Sequence, residues 1–360
     1  MGDFSSDIYT LGWHKESVIT RNAPFFLQEI RRRLFVKTAL LHVFQADIYG
    51  RPPRVLRRFS DVKMPLDLAD DQLCGTPEVL ETARANLTPS GWNRNNGFYP
   101  ASLCRFRAMC AEIREEIYEF TCRPAQPIDI DRLTKLAAQN KAMWDEIPMH
   151  LRADAQEAEA AGFSYRVTQM LARNQLGFNK NDFLIYQAME QIDPSAITPL
   201  LSVAVRIAKA LVDLGTERVR HVQPSFDYAE MLIVYGTAPA VVLVQAIHKL
   251  ARHGPDAIKL PEDVTRSTLI RTVSNLISQC ENAGGRGEVN ADVCLKASQI
   301  ISRSLDEALN ASPAPMPSTS ESLGAMEVTD FGGMDLSIWD TNDVSTWMNM
   351  DWGRMGMEAF

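Results

Sequence analysis

The chain is 360 residues long, 46% hydrophobic and formally −8 at pH 7, enough apolar material for one large domain or two smaller ones. From Ala311 to Phe360 it carries eight acidic residues and one basic residue, Arg354. Residues 1–310 are therefore close to neutral, which excludes global electrostatic steering toward nucleic acid. The six cysteines, Cys74, Cys104, Cys110, Cys122, Cys280 and Cys294, are too sparse for a disulfide scaffold and form no C-x-x-C pair. The N-terminus, MGDFSSDIYTLGW, has neither a basic nor an apolar leader region. These features lead us to expect an intracellular chain with reduced thiols.

Apolar residues recur with the helical period almost throughout, and strand-like alternation is scarce, so an all-α fold is expected. The pattern predicts helices over about Pro24–Tyr49, Phe98–Phe120, Ile128–Ile147, Tyr165–Met189, Ala196–Leu214, Phe226–His253, Pro261–Glu281 and Asp292–Leu309. Pro and Gly clusters punctuate them: GRPPR, RPAQP, RHGPD and ENAGGRGE.

The first long helix contains RRRLFVKTALLHVFQADIYGRPP, Arg31 to Pro53. It is apolar around most of its circumference and is expected to be largely buried. Gly50 suits the left-handed position past its end, and Pro52 and Pro53 cannot continue it. Arg31, Arg32 and Arg33 oppose the helix dipole, at about a few tenths of a kcal/mol each. That cost points to partners, most simply acids in the same domain, with nucleic-acid contact as the other reading. Asp70 and Asp71 read as a helix cap rather than a catalytic dyad. Cys104 and Cys110 share a helix with Phe106, Met109 and Ile113 and read as buried or half-buried free thiols.

The most apolar run, Met231 to Val244, is 14 residues long and contains Gly236 and Pro239. A membrane span needs about 20 apolar residues, so this run is expected to be a core helix and no membrane partner is expected. His248 and His253 lie near a helix end, where cations favour the dipole. Asp292 is read as the N-cap of the last helix, whose apolar stripe is Val293, Leu295, Ile300, Ile301, Leu305 and Leu309.

Within Leu11–Leu73 one set of residues stands together: Leu11-Gly12-x-His14, then Glu29-Ile30-Arg31-Arg32-Arg33-Leu34-Phe35, then Gly50-Arg51-Pro52, Asp61-Val62 and Pro65-Leu66. The set resembles the regulatory domain, or middle homology region, of fungal binuclear zinc-cluster transcription factors. Phe35-Val36 stands where that family usually has a Trp, and His42 where it commonly has an Asp. The family's DNA reader, six cysteines spaced C-x2-C-x6-C twice over and holding two zinc ions, has no counterpart among the six cysteines here. The resemblance implies one N-terminally truncated regulatory domain over residues 1–310. It further implies a nuclear regulator of RNA polymerase II transcription, serving a metabolic or secondary-metabolite pathway. The family-motif residues are Arg31, Arg32, Arg33, His42, Gly50, Arg51, Pro52, Asp61 and Pro65. No cofactor is expected in this chain, zinc belonging only to an upstream cysteine cluster. DNA binding by the chain alone is expected to be weak and salt-sensitive. A small effector, and pairing with a second copy or with a zinc-cluster partner, are the family's other associations.

After residue 310 the composition changes. Residues 311–328 form a Pro/Ser-rich linker. Residues 329–360 alternate acids with bulky apolar groups, including Phe331, Trp339, Trp347 and Trp352, and are expected to be disordered in isolation. Such a segment can lay its aromatic residues in a coactivator groove, or fold back on its own domain as a last helix. Arg51–Arg58, RPPRVLRR, reads either as a solvated connector or as an import or phosphate-contact signal. No G-x-S-x-G, H-E-x-x-H, P-loop or dinucleotide fingerprint is present, so no enzyme is expected. Two other readings stay open: an inhibitor that pairs with a full-length regulator, and a helical metabolite-binding protein or enzyme of a biosynthetic locus.

Overall fold

The computed structural model describes residues 2–49, 52–121, 129–221, 228–284 and 290–311. Among them the fold is all-α, and the only β-type pairing is an isolated bridge between Leu87 and Asn93. The helices are α1 (Gly2–Thr10), α2 (Glu16–Ile19), α3 (Phe25–Tyr49), α4 (Asp70–Leu73), α5 (Pro77–Ala85), α6 (Pro100–Thr121) and α7 (Ile130–Glu146). They continue as α8 (Ala155–Ala160), α9 (Tyr165–Glu190), α10 (Ile197–His221), α11 (Tyr228–Met231), α12 (Thr237–His253), α13 (Arg266–Gly284) and α14 (Ala291–Leu309).

The chain groups into two compact units. In its described part the first contains residues 2–196 and 213–221. Here α6 packs against α3, α7 and α9, around Phe106, Ile117, Leu133, Leu136, Ile147 and Ile185. A neighbouring cluster of Ile8, Ile19, Phe35, Val36, Val55 and Val62 fixes α1, α2 and the connector after α3. In the second unit α12, α13 and α14 pack on one another and bury Leu243, Ile247, Leu269, Val273, Leu276 and Ile301.

Several boundaries differ from the sequence expectation. The predicted helix Phe226–His253 is α11, a π-helical turn over Leu232–Gly236, and α12. Pro239 explains the break: it has no N–H for the Tyr235 carbonyl, and its ring crowds that carbonyl, so the preceding turn widens. Gly236 ends the widened turn with Leu211 so close that an added Cβ would sit 3.1 Å from its Cδ1. The cap of α14 is Asn290 rather than Asp292; Asn tolerates the left-handed backbone found there, φ 65°, and Asp292 lies in the first turn. Likewise Asp70 and Asp71 fall inside α4, whose boundary residue is Ala69, with the Gln72 side chain accepting from the Ala69 N–H at 3.0 Å. The short helices α1, α2, α5 and α8 give too little periodicity to be read from sequence.

By length and composition alone, two helical stretches, Pro194–Arg218 and Tyr228–His253, could cross a membrane. The most apolar 18-residue windows in them are 44% and 61% buried within the protein, and α12 packs against α13 and α14.

Candidate functional site

The residues singled out in the sequence converge on α3. On a helix three consecutive side chains point about 100° apart, so Arg31, Arg32 and Arg33 reach three different partners. Arg31 donates to the Ile19 carbonyl at the end of α2, 3.0 Å away. Arg32 lies between two carboxylates, donating to Glu16 and to the fully buried Glu29. Arg33 pairs with Asp70 at 2.6 Å and donates to the Leu68 carbonyl at 2.7 Å. Two of the three arginines thus have the expected acid partners, whereas Arg31 holds backbone. All three lie beyond the first turn of α3, where the dipole penalty has faded.

The acids extend the array. Glu29 also accepts from the Leu66 N–H at 2.8 Å and Glu16 from the Lys63 N–H at 3.1 Å. Asp61 accepts from the Glu16 N–H at 2.7 Å, at the start of α2. The Pro65 carbonyl accepts from the buried Arg105, whose guanidinium lies 4.6 Å over the Trp92 ring. Gly12, at φ +70°, makes the left-handed turn after α1, and the Tyr9 and His14 rings meet at a tilt of 55°, 5.2 Å apart. Burial pushes the Glu16 carboxyl up, but the Arg32 guanidinium and the Lys63 N–H outweigh it and hold it below the usual carboxylate range. Burial likewise opposes charge on Arg32, and the two carboxylates more than restore it.

His42 is buried on α3; burial first, and then the Arg54 charge, lower its pKa and favour the neutral ring. Pro52 is exposed, and Gly50 and Arg51 lie outside the described residues. In the connector, Arg57 pairs with Glu112 at 2.5 Å, its N–H donates to Glu115 at 3.0 Å, and Arg58 pairs with Glu119. Those two charges are engaged by α6, while Arg54 and Phe59 face solvent.

Toward the other end of α3 lies a buried polar seam that sequence reasoning missed. Arg114 on α6 donates to Asp47 at 2.8 Å, to Asn181 at 3.0 Å and to the Gly177 carbonyl at 3.2 Å. Tyr118 donates to the other Asp47 oxygen at 2.5 Å. Asn181 continues to the Cys110 carbonyl at 3.0 Å and to Asn140 at 3.1 Å, and Asn140 to Asp182 at 2.8 Å. Lys180 is buried beside this seam, 5.9 Å from the Phe183 ring, and burial lowers its pKa. The available signal was the run Asn179-Lys180-Asn181-Asp182 between the apolar residues Leu176, Phe178 and Phe183 of the same helix. The seam ties α3, α6, α7 and α9 together.

Cys104, Cys110, Cys280 and Cys294 are buried free thiols and Cys74 is exposed; burial pushes Cys110 and Cys280 up to about 12. Among the described residues no group of three or more His, Cys, Asp or Glu is placed to hold a metal. His253 lies in the last turn of α12, and burial, followed by the Arg252 and His253 charges, lowers the His248 pKa. An open cleft of about 530 Å³ lies on the second unit, lined by Glu281, Gln299, Arg303, Asp306 and Glu307 among others. Phe331, Trp339, Trp347 and Trp352, with the segments 312–328 and 329–360, lie outside the described residues, as does Cys122. Comparison with protein-family models, with curated proteins and with solved structures gives no match.

Proposed function

We propose that this chain is a nuclear regulator of RNA polymerase II transcription, of the kind its sequence resembles. It acts without a cysteine cluster of its own in residues 1–360, through coactivators and a zinc-cluster partner rather than through direct base reading. The observation that carries the reading is the α3 array. Glu16, Glu29, Arg31, Arg32, Arg33, Asp61 and Leu66, drawn from the Leu11–Leu73 stretch that carries the resemblance, are joined in it by hydrogen bonds or ion pairs. Residues 1–310 supply the regulatory part and residues 329–360 the activating part, with Phe331, Trp339, Trp347 and Trp352 as contact groups. A metabolic or secondary-metabolite pathway is the class of target, and no catalytic role is assigned.

The test is to tether residues 311–360 to a foreign DNA-binding domain and measure a reporter. We expect activation several-fold above the DNA-binding domain alone, abolished when Trp339, Trp347 and Trp352 are all replaced by Ala. A silent tail, or one indifferent to those substitutions, overturns the activating role.

A further inference from the structure

A serine or threonine followed by proline occurs at Thr76-Pro77, Thr88-Pro89, Thr198-Pro199 and Ser312-Pro313. Proline has no N–H and biases the residue before it toward extended backbone. Each pair is therefore a distinctive local signal, and packing decides which of them an outside molecule can reach. Thr198 lies inside α10, and its hydroxyl donates to the Lys259 carbonyl at 2.7 Å. Thr88 is half-buried in a tight turn. Its Oγ1 accepts from the Trp92 N–H at 3.0 Å and lies 3.0 Å from the Ser90 hydroxyl. Ser312 lies outside the described residues.

Thr76 is placed differently. It stands between α4 and α5 with φ −65° and ψ 160°, close to the polyproline II conformation, and Pro77 opens α5. Every residue from Cys74 to Val79 is exposed. The Thr76 hydroxyl makes no bond to the α5 backbone; its partner is the carboxylate of Glu78, itself exposed. Helix α5 is nine residues long, and it is anchored through Leu80 and Ala83, which pack with Leu68 and Leu73. Pro77, Glu78 and Val79 take no part in that cluster. A helix so short is marginal by itself. Its first turn therefore opens at little cost, and the stretch around Thr76 can be laid out as an extended peptide without uncovering the core.

We propose that Thr76 is a phosphorylation site for a proline-directed protein kinase, open to that kinase in the folded chain. The γ-phosphoryl group of Mg·ATP passes to the Thr76 Oγ1. The bond from the γ-phosphorus to the bridging oxygen breaks, the new O–P bond forms, ADP leaves, and the hydroxyl proton goes to the kinase's catalytic Asp. The product carries about −1.5 to −2 charges at pH 7. That charge falls at the start of α5, where the helix dipole favours it. It replaces the hydroxyl's bond to Glu78 with repulsion, and with Asp70, Asp71, Glu78 and Glu81 it makes α4 and α5 strongly acidic. The site stands on exposure and backbone geometry, independently of the function proposed above.

The test treats the full, folded chain with an activated mitogen-activated protein kinase and Mg·ATP. A basic substrate protein is phosphorylated in parallel to show that the kinase is active. Sites are mapped by mass spectrometry over a time course. Thr76 is expected to take phosphate several-fold faster than Thr88 and Thr198. Pro77→Ala keeps the hydroxyl, and Pro77 is exposed, so the fold stays intact while labelling of Thr76 should slow several-fold. Thr76→Ser should retain the label. No phosphate on Thr76 while the parallel substrate is labelled overturns the proposal. So do equal rates at the three threonines, or a Thr76 rate indifferent to Pro77→Ala.

Discussion

The two units are held together by different means. In the first, Glu29, Arg32, Asp67, Arg105, Arg114, Asn140, Asn181 and other polar side chains are buried and bonded to one another or to backbone. In the second, the buried polar groups among the described residues are fewer: Asn290, Ser298 and the Tyr228 hydroxyl, which donates to the Leu211 carbonyl at 2.9 Å. Apolar area is non-directional, so helices packed by it alone tolerate shifts and volume-conserving swaps. A buried hydrogen bond accepts few geometries and is costly to leave unmade. The first unit therefore holds α3, α6, α7 and α9 in one register, and the second relies mainly on volume.

Substitutions can break this contrast, and the largest effect is expected at Arg114. Its replacement by Ala leaves Asp47 buried without its ion pair, a loss of about 3–5 kcal/mol, read as a lower urea midpoint. Asp47→Asn in the same chain should recover part of it. A loss below about 1 kcal/mol would mean that water reaches Asp47 and that the seam is not dry.

Next come paired swaps of one kind in each unit. In the second unit Leu276, 1% exposed, should lose about 2–5 kcal/mol on change to Ala but less than about 1.5 on change to Met. In the first, Asn181→Leu keeps the branched side-chain skeleton but strips partners from Arg114, the Cys110 carbonyl and Asn140. Each buried group left unpaired costs about 1–3 kcal/mol. Thermal unfolding of the three variants decides the matter; equal tolerance of Leu276→Met and Asn181→Leu would erase the distinction.

Acid should act on the first unit in two stages. The His42 pKa lies below its ordinary 6.5 in the folded protein. Its contribution is complete above that value and is lost as pH falls through the lowered one. Glu16, depressed from 4.5, behaves the same way at lower pH: its contribution is full above 4.5 and lost as pH drops through the folded value. Stability measured from pH 8 to 5 should fall, and His42→Gln should flatten that fall. An unchanged slope would show that His42 does not carry the upper stage.

The smallest effect is expected at Arg33→Ala. Its partner Asp70 is 73% exposed, and such pairs are worth about 0–1 kcal/mol. A chemical-denaturation loss above about 2 kcal/mol would instead place Arg33 with Arg32 among the buried anchors.

Sequence by itself determined the all-α class and the approximate extents of α3, α6, α7, α9, α10, α13 and α14. Their apolar residues repeat every 3.6 positions over several turns, and that local signal needs no partner. It also marked the Arg31–Arg33 triplet as a place of special charge. Only the tertiary structure decided which acid each arginine meets, because Glu16, Glu29 and Asp70 come from different segments and the helical turn sends adjacent side chains apart. The Asp47–Arg114–Asn181–Asn140–Asp182 seam was equally out of reach, since each member looks like a surface residue until four helices close over it. The exposed Phe26 and Ile30 make the opposite case: apolar periodicity says that a face can be buried, and only packing decides which face is.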